Sequence, residues 1–311
     1  MTVDAILLGG DLPVRRIGYG AMRITGYGVW GEPPDTEAAK AVLRRAVELG
    51  VNFIDTADTY GPDVSERLIA EALRPYPDDL VIATKGGQRR DGPFRFHPDG
   101  RPERLRQACD GSLRRLRLER IDLYQLHAVD RSVPLEESVG TLAELRSEGK
   151  IRHIGLSNVD VDELATAQSI VPIVSVQNRY NLVDRDAEPV LEACEREQLA
   201  FIPWFPLSRG DLATRRSRLQ SIAASHGATQ AQVALAWLLR RSPVTLPIPG
   251  TTSLTHLEEN VAAFDLQLTD DELAALSAYR LTGLAAVRRR LRSALRPVLV
   301  AVARKLPVRR N

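Results

Sequence analysis

The sequence predicts an α/β chain folded as a (β/α)8 TIM barrel, with an N-terminal β-hairpin in front of it and a basic helical tail behind. Three observations carry that prediction. Short apolar runs alternate with longer amphipathic stretches, the alternation repeats eight times, and composition does not shift along the way. A doubly wound sheet would place a Gly-rich GxGxxG turn after its first strand, but "GYGAMRITGYG" spaces its glycines differently and no helix follows at once.

The elements can be justified in chain order. "DAILLGGDLPVRR" alternates apolar and polar residues and turns at Gly9 and Gly10, as a hairpin does. Barrel strands are expected at 16–22, 51–54, 80–83, 121–126, 151–156, 173–176, 199–204 and 244–248. Most are continuously apolar, because strands of a parallel sheet are covered on both faces. Helices fall between them. Asp35 precedes "TEAAKAVLRRAVELG" as an N-cap and Gly50 ends it; Ser65 precedes "ERLIAEAL"; Pro102 opens "PERLRQACDGSLRRL"; Pro134 opens "PLEESVGTLAELRSEG", which Gly149 ends. "VDELATAQSI", "AEPVLEACEREQ", "QAQVALAWLLRR" and "SLTHLEENVAAF" supply the next four, and "LTDDELAALSAY" adds one after the eighth unit.

The bulk composition excludes several classes. With 311 residues, 44% hydrophobic and 26% charged, the chain has an ordinary globular composition. Its net charge of +2 conceals an acidic body: residues 281–311 hold nine Arg and Lys and no acid, leaving 33 basic against 40 acidic residues, or −7, for the rest. That distribution argues against nucleic acid as a partner of the body. Cys109 and Cys194 sit in helical patterns without CxxC spacing, and the five His (97, 127, 153, 226, 256) show neither HxH nor HExxH spacing, so no metal is expected. No signal-like leader and no apolar stretch of 18 residues occurs, which points to a cytoplasmic location.

The strand ends form a set. In this architecture the C-terminal rim carries the site. The strands end in Asp55, Lys85, His127, Ser157 with Asn158, Gln177, Trp204, and Gly250 with Thr251. Asp55 and Lys85 would each relieve the cost of burying the other's charge. Only four of the 42 basic residues are lysine (Lys40, Lys85, Lys150, Lys305), so Lys85 suggests a need for a compact ammonium. Tyr60 lies five residues beyond Asp55 and could fold back to meet Lys85, whose charge would lower the phenol pKa and make it a proton donor to a developing alkoxide. His127 would give the same oxygen a second hydrogen bond.

"GVNFIDTADTYG", "IATK", "LYQLH", "IGLSN", "VQNRYN" and "IPGTTSLTHLEEN" follow one another in an order that closely resembles the aldo-keto reductase family, over nearly the whole body of the chain. The resemblance implies NADPH-dependent reduction of a small-molecule carbonyl substrate, with NAD also possible, by a catalytic tetrad of Asp55, Tyr60, Lys85 and His127. It also assigns Ser157, Asn158 and Gln177 to the nicotinamide carboxamide, Trp204 to ring stacking in place of the commoner Tyr, and Gly20, Met22, Leu207, Gly250, Thr251, His256, Glu259 and Asn260 to the remaining cofactor contacts. Gly250 and His256 stand where many members carry a Lys and an Arg for the 2′-phosphate, which predicts modest discrimination between NADPH and NADH. Tyr27, Trp30, Phe94 and Phe96 on the rim loops would either line the substrate pocket or pack as surface loops. One alternative stays open: a nucleotide-binding regulatory or redox-sensing subunit with little turnover.

Residues 1–280 are read as the barrel and 281–311 as a separate basic tail of a monomer or weak oligomer. In the tail Leu284, Val287, Leu291, Leu295, Val298 and Val302 fall on one helical face, with Pro297 interrupting it. Two readings remain for it: peripheral contact with an anionic membrane, or packing on the barrel or solvation as a loose tail.

Overall fold

The computed structural model describes residues 5–207 and 218–278. The hairpin is present as β1 (Ala5–Leu8) and β2 (Leu12–Arg15), antiparallel, with Gly9 and Gly10 at positive φ of 60° and 84° in the turn. Then come β3 (Tyr19–Gly20), a 3-10 turn Ala21–Ile24, α1 (Thr36–Glu48), β4 (Phe53–Asp55), α2 (Val64–Leu73) and β5 (Val81–Gly86). A second hairpin, β6 (Gln88–Arg90) and β7 (Phe96–Pro98), precedes α3 (Pro102–Leu116) and β8 (Ile121–Leu126). The chain continues with α4 (Leu135–Ser147), β9 (Ile151–Ser157), α5 (Val161–Gln168), β10 (Ile173–Gln177), α6 (Glu188–Glu197) and β11 (Ala200–Phe201). Last come α7 (Arg218–Ser225), α8 (Gln230–Arg241), α9 (Leu254–Ala262) and α10 (Asp270–Ser277).

Seven strands form one parallel sheet in the order β11-β10-β9-β8-β5-β4-β3. The eighth station, 244–248, is not a regular strand, because Pro243, Pro247 and Pro249 lack the N–H groups a ladder needs. Hydrogen bonds still close the ring there. Phe201 N donates to Val244 O and Leu246 N to Phe201 O, both at 2.8 Å, and Gly18 N donates to Pro247 O at 3.0 Å. The barrel is therefore complete, with a proline-stiffened seam.

Two apolar layers hold it. Inside, Phe53, Val81, Ala83, Leu123, Ala200, Ile202, Leu246 and Ile248 pack with Ile6, Leu8, Leu12 and Val14 of the hairpin, which covers the N-terminal end of the strands. Outside, the opposite faces of the strands meet the helices. The hairpin thus seals one end and leaves the C-terminal rim open to a ligand.

Asp35 caps α1, accepting from Ala38 N at 2.9 Å, and Gly50 ends that helix at a φ of 84°. The expected cap at Ser65 is a difference: α2 starts at Val64 and Asp63 takes the cap position. Ser65 is buried and donates to Ala21 O at 3.0 Å, tying the helix to the first rim loop instead. Cys109 and Cys194 are free, and burial pushes both thiols up to about 12, so neither is a ready nucleophile. Among the described residues no helix is long and apolar enough to cross a membrane. The predicted tail, 281–311, lies outside the described residues.

Candidate active site

Asp55 ends β4 and Lys85 is the penultimate residue of the neighbouring β5, in a register that pairs Asp55 with Ala83. Their side chains meet inside the barrel mouth, with Lys85 Nζ 2.6 Å from Asp55 Oδ1. The same ammonium donates to Thr56 O at 2.8 Å and to the Tyr60 hydroxyl at 3.4 Å, which uses its three N–H groups. Asp55 Oδ2 accepts from Gln125 Nε2 at 3.0 Å and Gln177 Nε2 at 2.8 Å. Lys85 is 0% and Asp55 2% exposed, so the pair persists only because both charges are saturated with partners.

The electrostatics follow from this burial. Desolvation pulls the Lys85 ammonium down, but the Asp55 charge and the Tyr60 oxygen outweigh it and hold its pKa above the ordinary lysine value. Desolvation pushes the Tyr60 phenol up and overcomes the opposing pull of Lys85. A lowered phenol was the expectation from sequence; the difference arises because Tyr60 is buried, not at an open mouth. The phenol is therefore protonated at neutral pH. Burial, with the charges of Lys85 and Arg90, holds the His127 imidazole well below its ordinary range, so it is neutral. Its ring lies 5.9 Å from that of Tyr60, nearly perpendicular, and its Nδ1 is 3.5 Å from Thr59 Oγ1.

Beside this group the rim offers polar and flat surfaces. Asn158, at a positive φ of 61°, donates from Nδ2 to His127 O at 3.0 Å and to Ser157 Oγ at 2.9 Å, and its Oδ1 accepts from Trp204 Nε1 at 3.0 Å. Gln177 Nε2 is turned to Asp55 and also donates to Gln125 Oε1 at 3.3 Å. At the seam Gly20 and Gly250 meet backbone to backbone: a Cβ on Gly20 would stand 2.7 Å from Ile248 O, and one on Gly250 would strike Gly20 O. Arg23 lies beside Gly250. The nine-residue α9 follows, with Ser253 Oγ accepting from His256 N and Thr251 Oγ1 accepting from Ser253 N.

Not every expected residue is placed alike. Asp55, Tyr60, Lys85 and His127 come together, and Ser157, Asn158, Gln177 and Trp204 stand beside them. Gly20, Met22, Gly250, Thr251, His256, Glu259 and Asn260 lie along the seam and α9, with Asn260 buried and His256 exposed. Leu207 packs against the outer core. Tyr27 and Trp30 lie on the loop after β3, Phe94 in the turn before β7 and Phe96 at the start of β7; Tyr27 meets Phe94 edge to face, and Trp30 bridges to Gly61, the residue after Tyr60. Sequence reasoning missed Gln125 and Arg90. The first was legible, since two residues along a strand return to the same face and Gln125 precedes His127 by two.

The fold is a (β/α)8 barrel whose buried charged and polar side chains gather at the C-terminal strand ends. The family model described as Aldo/keto reductase family matches residues 16–280. An uncharacterized oxidoreductase of Schizosaccharomyces pombe is 52% identical over 267 residues, covering 86% of this chain and 87% of that protein. Pyridoxine 4-dehydrogenase of Escherichia coli is 45% identical over 273 residues, covering 86% and 95%. Among solved structures, an aldo-keto reductase of Klebsiella pneumoniae in complex with NADPH superposes with a TM-score of 0.77 at 30% identity, covering 89% of this chain and 95% of that one. The chain belongs to the aldo/keto reductase family and is an NAD(P)-dependent oxidoreductase.

Proposed function

We propose that this chain reduces an aldehyde to the alcohol with NADPH, Tyr60 protonating the carbonyl oxygen. The observation that carries the reading is Lys85 Nζ, fully buried, held 2.6 Å from Asp55 and donating to the Tyr60 hydroxyl. NADPH, when bound, supplies the hydride that goes to the carbonyl carbon. The chain's own residues manage the proton. Tyr60 stays protonated until negative charge develops on the substrate oxygen, and Lys85 then stabilises the phenolate left behind. Asp55 keeps Lys85 charged throughout. His127, neutral and steadied by Thr59 and Asn158, presents an N–H to the same oxygen without competing as an acid.

The residues present fit the cofactor. Gln177 Oε1 and Ser157 suit a carboxamide, Trp204 offers a flat indole, and Arg23 with the start of α9, beside the closely packed seam of Gly20 and Gly250, suits a phosphate. A relative's complex with NADPH supports the phosphorylated form. Pyridoxal is the substrate to try first, because a relative at 45% identity is named pyridoxine 4-dehydrogenase and the rim aromatics suit a planar ring. The test is NADPH oxidation with pyridoxal and a panel of aldehydes. Turnover is expected; nucleotide binding with no turnover on any of them would favour the regulatory alternative.

A further inference from the structure

We propose that Arg90 is the positioning residue that builds the entrance of this site and gives it a preference for planar aromatic aldehydes over small aliphatic ones. The proposal rests on the reading of Tyr60 as the reacting centre. A guanidinium has five N–H donors in a fixed plane, and in Arg90 each one is spent on a backbone carbonyl. Nε donates to Arg95 O at 3.0 Å, Nη1 to Val29 O at 2.9 Å and Thr59 O at 3.0 Å, and Nη2 to Gly28 O at 2.9 Å and Gly92 O at 3.0 Å.

Those carbonyls belong to three separate segments: the loop after β3, the residue just before Tyr60, and the turn between β6 and β7. Further bonds knit the same three. Phe94 N donates to Gly28 O at 2.9 Å, and Gly31 N donates to Gly61 O at 2.7 Å. Val29 and Phe94 sit at positive φ of 58° and 57°, conformations a β-branched or bulky residue does not adopt unless its surroundings hold it there. Arg90 supplies that hold at Val29 directly.

The consequence is an aromatic lip. The guanidinium carbon lies 3.8 Å from the Phe96 ring centre and 5.6 Å from that of Trp30, while Tyr27 meets Phe94 edge to face at 5.2 Å. Tyr27 is 85% and Phe94 53% exposed, so this aromatic pair faces water, and Arg90 ties its loops to Thr59, the residue before Tyr60. Apolar surface of this kind, already fixed in place, gains most from a ligand wide and flat enough to cover it. A two- or three-carbon aldehyde is too small to cover it. With no N–H left over, Arg90 acts by shaping this lip, not by binding an anionic substrate.

The test compares benzaldehyde with propanal at saturating NADPH in the wild type and in Arg90→Gln, Arg90→Lys and Tyr27→Ala. The wild type is expected to favour benzaldehyde at least tenfold in kcat/KM. Arg90→Gln is expected to lose at least tenfold of that preference, mainly through the benzaldehyde KM, and Arg90→Lys not to restore it, since an ammonium has three donors and no planar face. Tyr27→Ala, which changes an exposed side chain and leaves the fold intact, is expected to lose part of the preference. No preference in the wild type, an equal fall for both aldehydes in Arg90→Gln, or a preference kept within twofold in Tyr27→Ala would overturn the proposal. Tyr60→Phe run in parallel separates the two readings: full turnover there removes Tyr60 as the proton donor, whatever Arg90→Gln does to the ratio.

Discussion

Replacing Lys85 with Met tests the buried pair at the centre of the site. The substitution keeps an unbranched apolar stem but removes an ammonium that is 0% exposed and donates to Asp55, Thr56 O and Tyr60. Asp55, 2% exposed, would then keep only the amides of Gln125 and Gln177. Stranding one member of a buried ion pair costs about 3–5 kcal/mol. For a domain of this size each kcal/mol lowers Tm by roughly 2 °C, so a fall of about 6–10 °C is expected in a thermal melt at neutral pH. The double variant Lys85→Met with Asp55→Asn removes both charges and should recover most of that loss while remaining inactive. A single variant that melts within about 1 °C of the wild type, or a double variant less stable than the single, would refute the description of the pair as mutually dependent.

Three other outcomes are expected. Because His127 is held neutral, its pKa is depressed on folding; the unfolded chain takes up the proton first as pH falls through about 6.5, and stability is lost by about 1.4 kcal/mol per pH unit below it. His127→Gln should flatten that acid limb in urea titrations between pH 6.5 and 5, and an unchanged limb would contradict the assignment. Gly250→Ala pushes a methyl against Gly20 O, so NADPH Kd measured by fluorescence titration should rise about tenfold, and an unaltered Kd would show that the seam does not shape the cofactor site. Titration with both nucleotides should show NADPH preferred over NADH by less than about tenfold, since Gly250 and His256 supply no fixed cation; NADH binding tighter than NADPH would reverse the choice.

Much of this molecule was legible in its sequence because barrel strands and their rim residues announce themselves by pattern. Asp55, Lys85, His127 and Gln177 each end an apolar run, and the runs fix which residues share the mouth. Three features were less legible, each for a physical reason. The eighth station reads as a strand by its apolar residues, yet its prolines leave it hydrogen-bonded only in part. The hairpin of β6 and β7 has no alternating apolar signal, since its strand Gln88–Arg90 is polar throughout, with Arg90 bonded to the loop after β3 and Gln88 O to Arg104 of α3. Arg90 is therefore invisible until the three segments it joins are assembled. The protonation of Tyr60 depended on burial, and burial of a loop residue is decided by where its loop folds, not by its neighbours in sequence.

The most direct measurement is single-turnover reduction of pyridoxal by the Tyr60→Phe variant with NADPH already bound. Phe keeps the ring and its packing and removes only the hydroxyl to which Lys85 donates at 3.4 Å. The account predicts that hydride transfer slows by about 10²–10⁴-fold while NADPH Kd stays within about twofold, because the phenol acts on the developing alkoxide and not on the bound nucleotide. Turnover within about twofold of the wild type would contradict it.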